Sequence, residues 1–458
     1  MNLYSLAYFP FLIAIWLLSF FLVSHSRLRL AALLMASYLF YASWSPAFLL
    51  LLLGSSLFNF AWGRLLRRHP AASILWPGVL VNIGLLVAFR FAVSFVALVG
   101  ISFYTFQAIS YLVDVYRGYQ ERPSLTEFLL YMAFWPYILA GPICRLPEML
   151  PQFRRSARPS RQDLQVGSAR LLAGLFMKIV IADTLARGVQ AGQGVTAGFD
   201  QASGWGAWDV WILALGFGFQ VFFDFAGYSH MAIGSARLFG IRLRENFNNP
   251  YLARTPAEFW SRWHMSLSSW IRDYVFFPLA SLRRSLSWRH LALVLSMTIF
   301  GLWHGLTGTL LLWGVYQGLL LLIHRQLQQI LSGRFPGLRP QDSGLRTFYW
   351  PLTFIPVSLG WILFRANSLD QALLMFQTLL APEAYTRRVL DTDLYFLVAL
   401  VACGYFCYVG LGEMLSRLQA YAPVERFVWL TSPVYRATII LWVIIWSEEA
   451  SPFVYVRF

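Results

Sequence analysis

The chain has 458 residues, of which 58% are hydrophobic, 17% aromatic and only 12% charged. Soluble domains carry about 25% charged residues, so this composition excludes an ordinary cytosolic enzyme, a disordered chain and a nucleic-acid module. The formal charge of +15, from 36 basic and 21 acidic residues, then reads as basic loops held on the inner side of a membrane rather than as a polyanion-binding surface. Three cysteines make no disulfide framework and none has metal-ligand spacing, so no metal is expected. Cys403 and Cys407 lie in an apolar run and are expected to pack as small hydrophobes.

Apolar runs of the length that spans a bilayer, about 20 residues, recur from one end of the chain to the other. The first, 3–23, has no basic residue before it and Arg27 and Arg29 after it. That polarity fits a retained anchor with its N-terminus outside, not a cleaved signal peptide. Residues 30–62 are too long for one crossing and break at Ser45 and Pro46, which predicts a helical hairpin, with Arg64, Arg67 and Arg68 then inside. Further spans are expected near 72–97, 101–116, 166–186, 207–226, 290–304, 309–324, 347–365, 394–412 and 432–447. The reading is an all-α, polytopic transmembrane helical bundle of about 11 spans, forming a single domain over 1–458. Neither an internal repeat nor β-barrel alternation is visible.

The positive-inside rule fails at one place. Arg117 and Arg122 precede the apolar stretch 128–140, and Arg145, Arg154, Arg155, Arg158 and Arg161 follow it. Both flanks cannot be inside if that stretch crosses once. A re-entrant segment, punctuated by Gly141 and Pro142, resolves the conflict, because irregular backbone is tolerated at membrane depth where protein buries it.

Residues 237–289 depart from the rest, with nine arginines and three acidic residues in 53 positions. Within them, 257–274 places Trp260, Trp263, Leu267 and Trp270 on one face if the stretch is a helix. The plainer reading is an interfacial amphipathic helix with aromatic rings at headgroup depth and snorkelling arginines. Downstream, His304 closes an apolar run inside Gly301-Leu302-Trp303-His304-Gly305. A histidine at a helix end is often a satisfied polar group. An ionisable side chain within a span is costly, however, and points to function by default. Imidazole is also the natural general base toward a hydroxyl, and flanking glycines allow a helix break and close approach of a substrate. Asp224 ends another apolar run, where a salt bridge or a helix cap competes with orienting an imidazolium.

These segments together resemble the membrane-bound O-acyltransferase family, in its bacterial branch of alginate and exopolysaccharide O-acetylation. The resemblance rests on 100–107 with 111–118, Gly141-Pro142 with Arg145, 178–183, 224–229, Glu245-Asn246-Phe247, the 260–274 box, Trp303-His304-Gly305 and Phe364-Arg365-Ala366, in that order. It implies a helical bundle with re-entrant elements at its middle and acyl transfer to a hydroxyl. His304 matches the family's catalytic histidine, and His264 matches a position held by His or Asn. Asp224, Tyr228, Asn246, Arg262 and Trp303 are implied as supporting or substrate-binding residues. Many relatives have Asp where this chain has His230, so that position is not expected to be an obligate carboxylate.

The resemblance further implies an acetyl group taken from a cytoplasmic thioester, acetyl-CoA first, as co-substrate with no permanently bound cofactor. Loop arginines Arg237, Arg242, Arg244, Arg254, Arg283 and Arg284 are the possible phosphate partners, with anionic membrane lipids as the competing partner. The acceptor is an exopolysaccharide, alginate- or cellulose-like, reached through a periplasmic acetyltransferase partner in a biosynthesis complex at the bacterial inner membrane. The alternatives are D-alanyl transfer to teichoic acid, and a polysaccharide or lipid transporter without acyltransferase activity. No nucleophile elbow is evident, so direct transfer is expected.

Overall fold

The computed structural model describes residues 1–92, 100–155, 157–190, 192–201, 203–334, 346–419 and 440, and every regular element among them is helical. The α-helices are, in order, α1 (Tyr8–Phe21), α2 (Ser26–Ala42), α3 (Pro46–Arg68), α4 (Ala72–Ala92), α5 (Ile101–Tyr116), α6 (Leu125–Ala133), α7 (Trp135–Ile138), α8 (Leu146–Arg154), α9 (Arg161–Leu175) and α10 (Asp183–Arg187). They continue with α11 (Val195–Asp200), α12 (Ala207–Leu238), α13 (Pro256–Arg262), α14 (Met265–Ile271), α15 (Phe277–Ser281), α16 (Leu286–His304), α17 (Gly308–Arg334), α18 (Arg346–Arg365), α19 (Leu369–Leu380) and α20 (Thr392–Gln419). A π-helical segment, Phe176–Ala182, joins α9 to α10. Six helices among the described residues are long and apolar enough to cross a bilayer. The span expected near 432–447 lies outside the described residues save for position 440.

The expected hairpin over 30–62 is present. Pro46 opens α3 after extended Ser45, where proline has no backbone donor to lose and its fixed φ suits the first helical turn. The N-terminal run is shorter than expected: α1 has 14 residues, about 21 Å at 1.5 Å per residue, short of a full crossing. Cys403 and Cys407 do not pack inward; both are exposed on α20.

The chain divides into two compact units, one built from Met1–Leu175 with Phe225–Asn246, the other from Phe176–Asp224 with the described residues from Phe247 on. In the first unit the conflict over 117–161 is resolved. Helix α6 has nine residues and α7 four, and the backbone turns out of helix at Phe134 between them. Residues 139–145 are non-helical but almost entirely buried. Arg154 reaches Glu127 at 2.8 Å, Glu121 at 3.1 Å and the Arg122 carbonyl at 3.0 Å. The two flanks of the apolar stretch therefore meet, as a segment that enters and returns requires.

Other basic loops gather around the same bonds. Arg67 donates to the Tyr119 carbonyl at 2.9 Å. Arg29 donates to the Arg155 and Phe239 carbonyls at 3.2 and 2.7 Å, and Gln152 bonds Arg242 through both its amide atoms. One side of this unit thus collects the loops that the positive-inside rule assigns to the inner face.

In the second unit α16 and α17 form an antiparallel pair whose backbones nearly touch. A Cβ on Gly314 would lie 2.5 Å from the Met297 carbonyl and 2.9 Å from Thr298 Cα, and one on Gly318 would lie 2.9 Å from Val294 Cα. A Cβ on Gly301 would strike the Leu310 carbonyl. Gly314 and Gly318 are four apart on one face, the small-residue spacing by which membrane helices approach closely. Gly301 therefore admits the α17 backbone, where the sequence suggested room for a substrate. Gly314→Val should lower the thermal midpoint in detergent, by overpacking worth about 1–3 kcal/mol. Gly404→Ala, where nothing lies within 4 Å, should leave the midpoint unchanged; equal behaviour of the two variants would refute the close-packing assignment.

Candidate active site

The 257–274 box does not form the continuous helix that its spacing suggested. Helix α13 starts at a Thr255 cap whose hydroxyl accepts from Glu258 N at 3.0 Å, and it ends at Arg262. Trp263 is extended, and His264 sits at φ 41° and ψ 51°, the left-handed region. Side chains other than glycine rarely adopt it, and strain of this kind concentrates at functional positions. Helix α14 then restarts, with the His264 carbonyl accepting from Ser268 N at 2.9 Å. Trp260, Trp263 and Trp270 are all buried within the protein. The break corrects the single-helix reading: it turns Trp263 and His264 into the protein interior, where both are buried.

His264 is completely buried, with its ring stacked 6.4 Å from Phe247. Burial pushes its pKa down to about 3, because a charged imidazolium loses its hydration there. It is therefore a neutral imidazole across the physiological range.

His304 is the last residue of α16 and only 4% exposed. Four rings enclose it, with centroids at 4.6 Å (Trp303), 5.0 Å (Phe300), 5.0 Å (Phe364) and 5.5 Å (Trp313). A continuous path of ring contacts connects the two histidines. It runs from His264 through Phe247 to Trp263 at 5.2 Å, to Trp361 at 5.0 Å, to Phe364 at 5.7 Å, and so to His304. A wall of this kind keeps water from an imidazole and strengthens the electrostatics inside.

The remaining candidates take other places. Asp224 pairs with Lys178 at 2.8 Å, and Lys178 with Asp183 at 2.7 Å, all three at most 2% exposed. The salt bridge read for Asp224 is thus present. Arg262 pairs with Glu258 at 2.8 Å and donates to the Asn248 carbonyl at 3.3 Å, while its own carbonyl accepts from Asn248 N at 2.9 Å; it clips the loop after Phe247 to α13. Tyr228 and Asn246 belong to the first unit, where Tyr228 is buried and Asn246 donates to Ser229 Oγ at 3.0 Å. His230 is half-buried in the same helix.

Among the loop arginines, Arg237 is paired with Asp163 at 2.6 Å and Arg244 with Glu148 at 2.6 Å. Arg254 meets Glu258 only through its backbone N–H, at 2.8 Å, and Arg283 lies over the Trp288 ring at 4.9 Å.

Two features went unnoticed in the sequence. The Gly314 and Gly318 spacing was legible there. Asp209 was not: it is fully buried and accepts from Gly206 N, Val389 N, Leu390 N and the Tyr395 hydroxyl at 2.7, 3.0, 3.1 and 2.6 Å. Only the fold brings its distant donors together.

Six helices long and apolar enough to cross a bilayer define a multi-pass membrane protein. A model of the MBOAT, or membrane-bound O-acyltransferase, family matches residues 5–355; the chain belongs to this family and is a membrane O-acyltransferase. It is 36% identical to the probable alginate O-acetylase AlgI of Pseudomonas aeruginosa, over 81% of this chain and 73% of the relative. It is 33% identical to the peptidoglycan O-acetyltransferase of Helicobacter pylori, over 74% and 72%. The teichoic acid D-alanyltransferase of Streptococcus thermophilus is 30% identical over 59% and 69%.

Proposed function

We propose that this enzyme takes acetyl groups from acetyl-CoA on the cytoplasmic side of a bacterial inner membrane. It passes them toward hydroxyls of an exported exopolysaccharide, through a periplasmic acetyltransferase partner. The observation that carries the reading is His304, an imidazole walled by four rings at a helix end, in a chain 36% identical over most of its length to a probable alginate O-acetylase. The shorter match to the D-alanyltransferase favours acetyl over D-alanyl as the cargo.

In this mechanism His304 takes the proton of the acceptor hydroxyl as its oxygen attacks the thioester carbon. The carbon–sulfur bond breaks, and the departing thiolate takes up a proton. His264, held neutral, contributes a hydrogen bond rather than a charge. Enclosure by Phe300, Trp303, Trp313 and Phe364 suppresses loss of the acyl group to water. Arg254, Arg283 and Arg284 are the most available partners for the donor's phosphates.

Deleting the gene in its native host should leave polymer secreted in normal amount but without O-acetyl groups, measured by NMR of the purified polymer. Polymer retained inside the cell would instead support an export role and sink the acetylation reading.

A further inference from the structure

Trp313 and Gln317 stand one turn apart on the same face of α17, 1% and 2% exposed. Among the described residues, neither Trp313 Nε1 nor Gln317 Oε1 has a hydrogen-bond partner. Buried polar atoms are nearly always paired, so an orphaned donor and an orphaned acceptor one helical turn apart call for an occupant.

Both groups are held in place by packing. The Trp313 ring lies 5.5 Å from His304, 5.0 Å from Phe364 and 6.0 Å from Trp260. The Gln317 amide sits against α18 where Gly360 leaves a recess: a Cβ there would come 2.7 Å from Gln317 Nε2. The order along α17 adds direction. The helix starts at Gly308, just after His304, and runs toward Arg325. Gln317 is thus about 6 Å further along the axis than Trp313, on the way from His304 to the basic end.

A donor beside an acceptor is the complement of a secondary amide, which offers one carbonyl and one N–H. We infer that Trp313 and Gln317 read an amide of a pantetheine arm: Trp313 Nε1 donates to a carbonyl oxygen and Gln317 Oε1 accepts from the amide N–H. The inference rests on the reading of His304 as the place where the thioester reacts. Pantetheine carries its first amide two methylenes from the sulfur. A thioester at His304 therefore leaves that amide alongside α17, on the side from which a phosphate-bearing donor arrives. A free coenzyme and a carrier protein share this arm.

The test compares the full-length enzyme in nanodiscs on acetyl-CoA, S-acetylpantetheine and S-ethyl thioacetate, which lacks any amide, by initial rate of thiol release. Wild type should prefer both pantetheine thioesters. Gln317→Leu, which keeps much of the packing, should narrow that preference about tenfold, the scale of one buried hydrogen bond, with little change on S-ethyl thioacetate. Trp313→Phe should narrow it by a similar factor on top of a general slowing on all three substrates, because Trp313 also walls His304. A wild type without preference, or variants that slow all three substrates equally, overturns the inference. Narrowing confined to acetyl-CoA overturns it too, because the contact would then be with the nucleotide. His304→Ala separates the two ideas: an active His304→Ala enzyme sinks the general-base reading while the substrate preference can still be measured.

Discussion

His304→Ala is expected to abolish O-acetylation of the polymer in cells and to slow the purified enzyme by about 10²–10⁴-fold, the usual contribution of a positioned general base. His304→Gln should be nearly as slow, because glutamine can hydrogen-bond but cannot take the proton. Both variants should be recovered folded. The side chain packs among Phe300, Trp303, Trp313 and Phe364, and glutamine keeps much of that volume. A His304→Gln strain that makes fully acetylated polymer would remove His304 from the mechanism.

The second histidine offers a control through pH. Burial holds the pKa of His264 at about 3, below its ordinary value, so it does not change charge between pH 5 and 8. His264→Gln should lower the rate but leave the shape of the pH–rate profile in that interval unchanged. A profile that flattens in His264→Gln would show that His264 titrates there.

What the sequence revealed and what it hid divide along the range of the interactions. The hairpin at Ser45 and Pro46 was legible because proline acts locally on its own backbone. The re-entrant segment was legible from the charge conflict around 128–140, and the Arg154 bonds to Glu121 and Glu127 supply its physical closure. The family and its histidines were legible from ordered motifs. The periodicity of Trp260, Trp263 and Trp270 misled, because a period of 3.6 presumes unbroken helix. The left-handed turn at His264 is not encoded by a glycine, so nothing nearby announced it. Gly301 was read as room for a substrate when it admits the α17 backbone, since the residue type shows close approach but not what approaches. Asp209 and the partner of Asp224 stayed hidden for a simpler reason: their contacts join residues far apart in the chain.

The chain's single lysine makes the most costly of these long-range contacts. Lys178 lies in the π-helical turn Phe176–Ala182, 2.7 Å from Asp183 and 2.8 Å from Asp224, with all three side chains at most 2% exposed. Lys178→Met should collapse the yield of folded, monodisperse protein, because removing one partner of a buried ion pair costs about 3–5 kcal/mol, and here two buried carboxylates lose the same cation. The triple variant Lys178→Met, Asp183→Asn, Asp224→Asn should recover most of that yield, since an uncharged set of similar volume carries no desolvation penalty. Wild-type yield from Lys178→Met alone would show that the triad does not hold the fold. Activity of the triple variant then separates the two readings of Asp224. If Asp224 serves only the ion pair, the recovered protein acetylates near the wild-type rate. If it also orients an imidazole or the acceptor, the protein folds but turns over at least about tenfold more slowly, as expected when a charge-assisted hydrogen bond worth about 1.5–3 kcal/mol is lost.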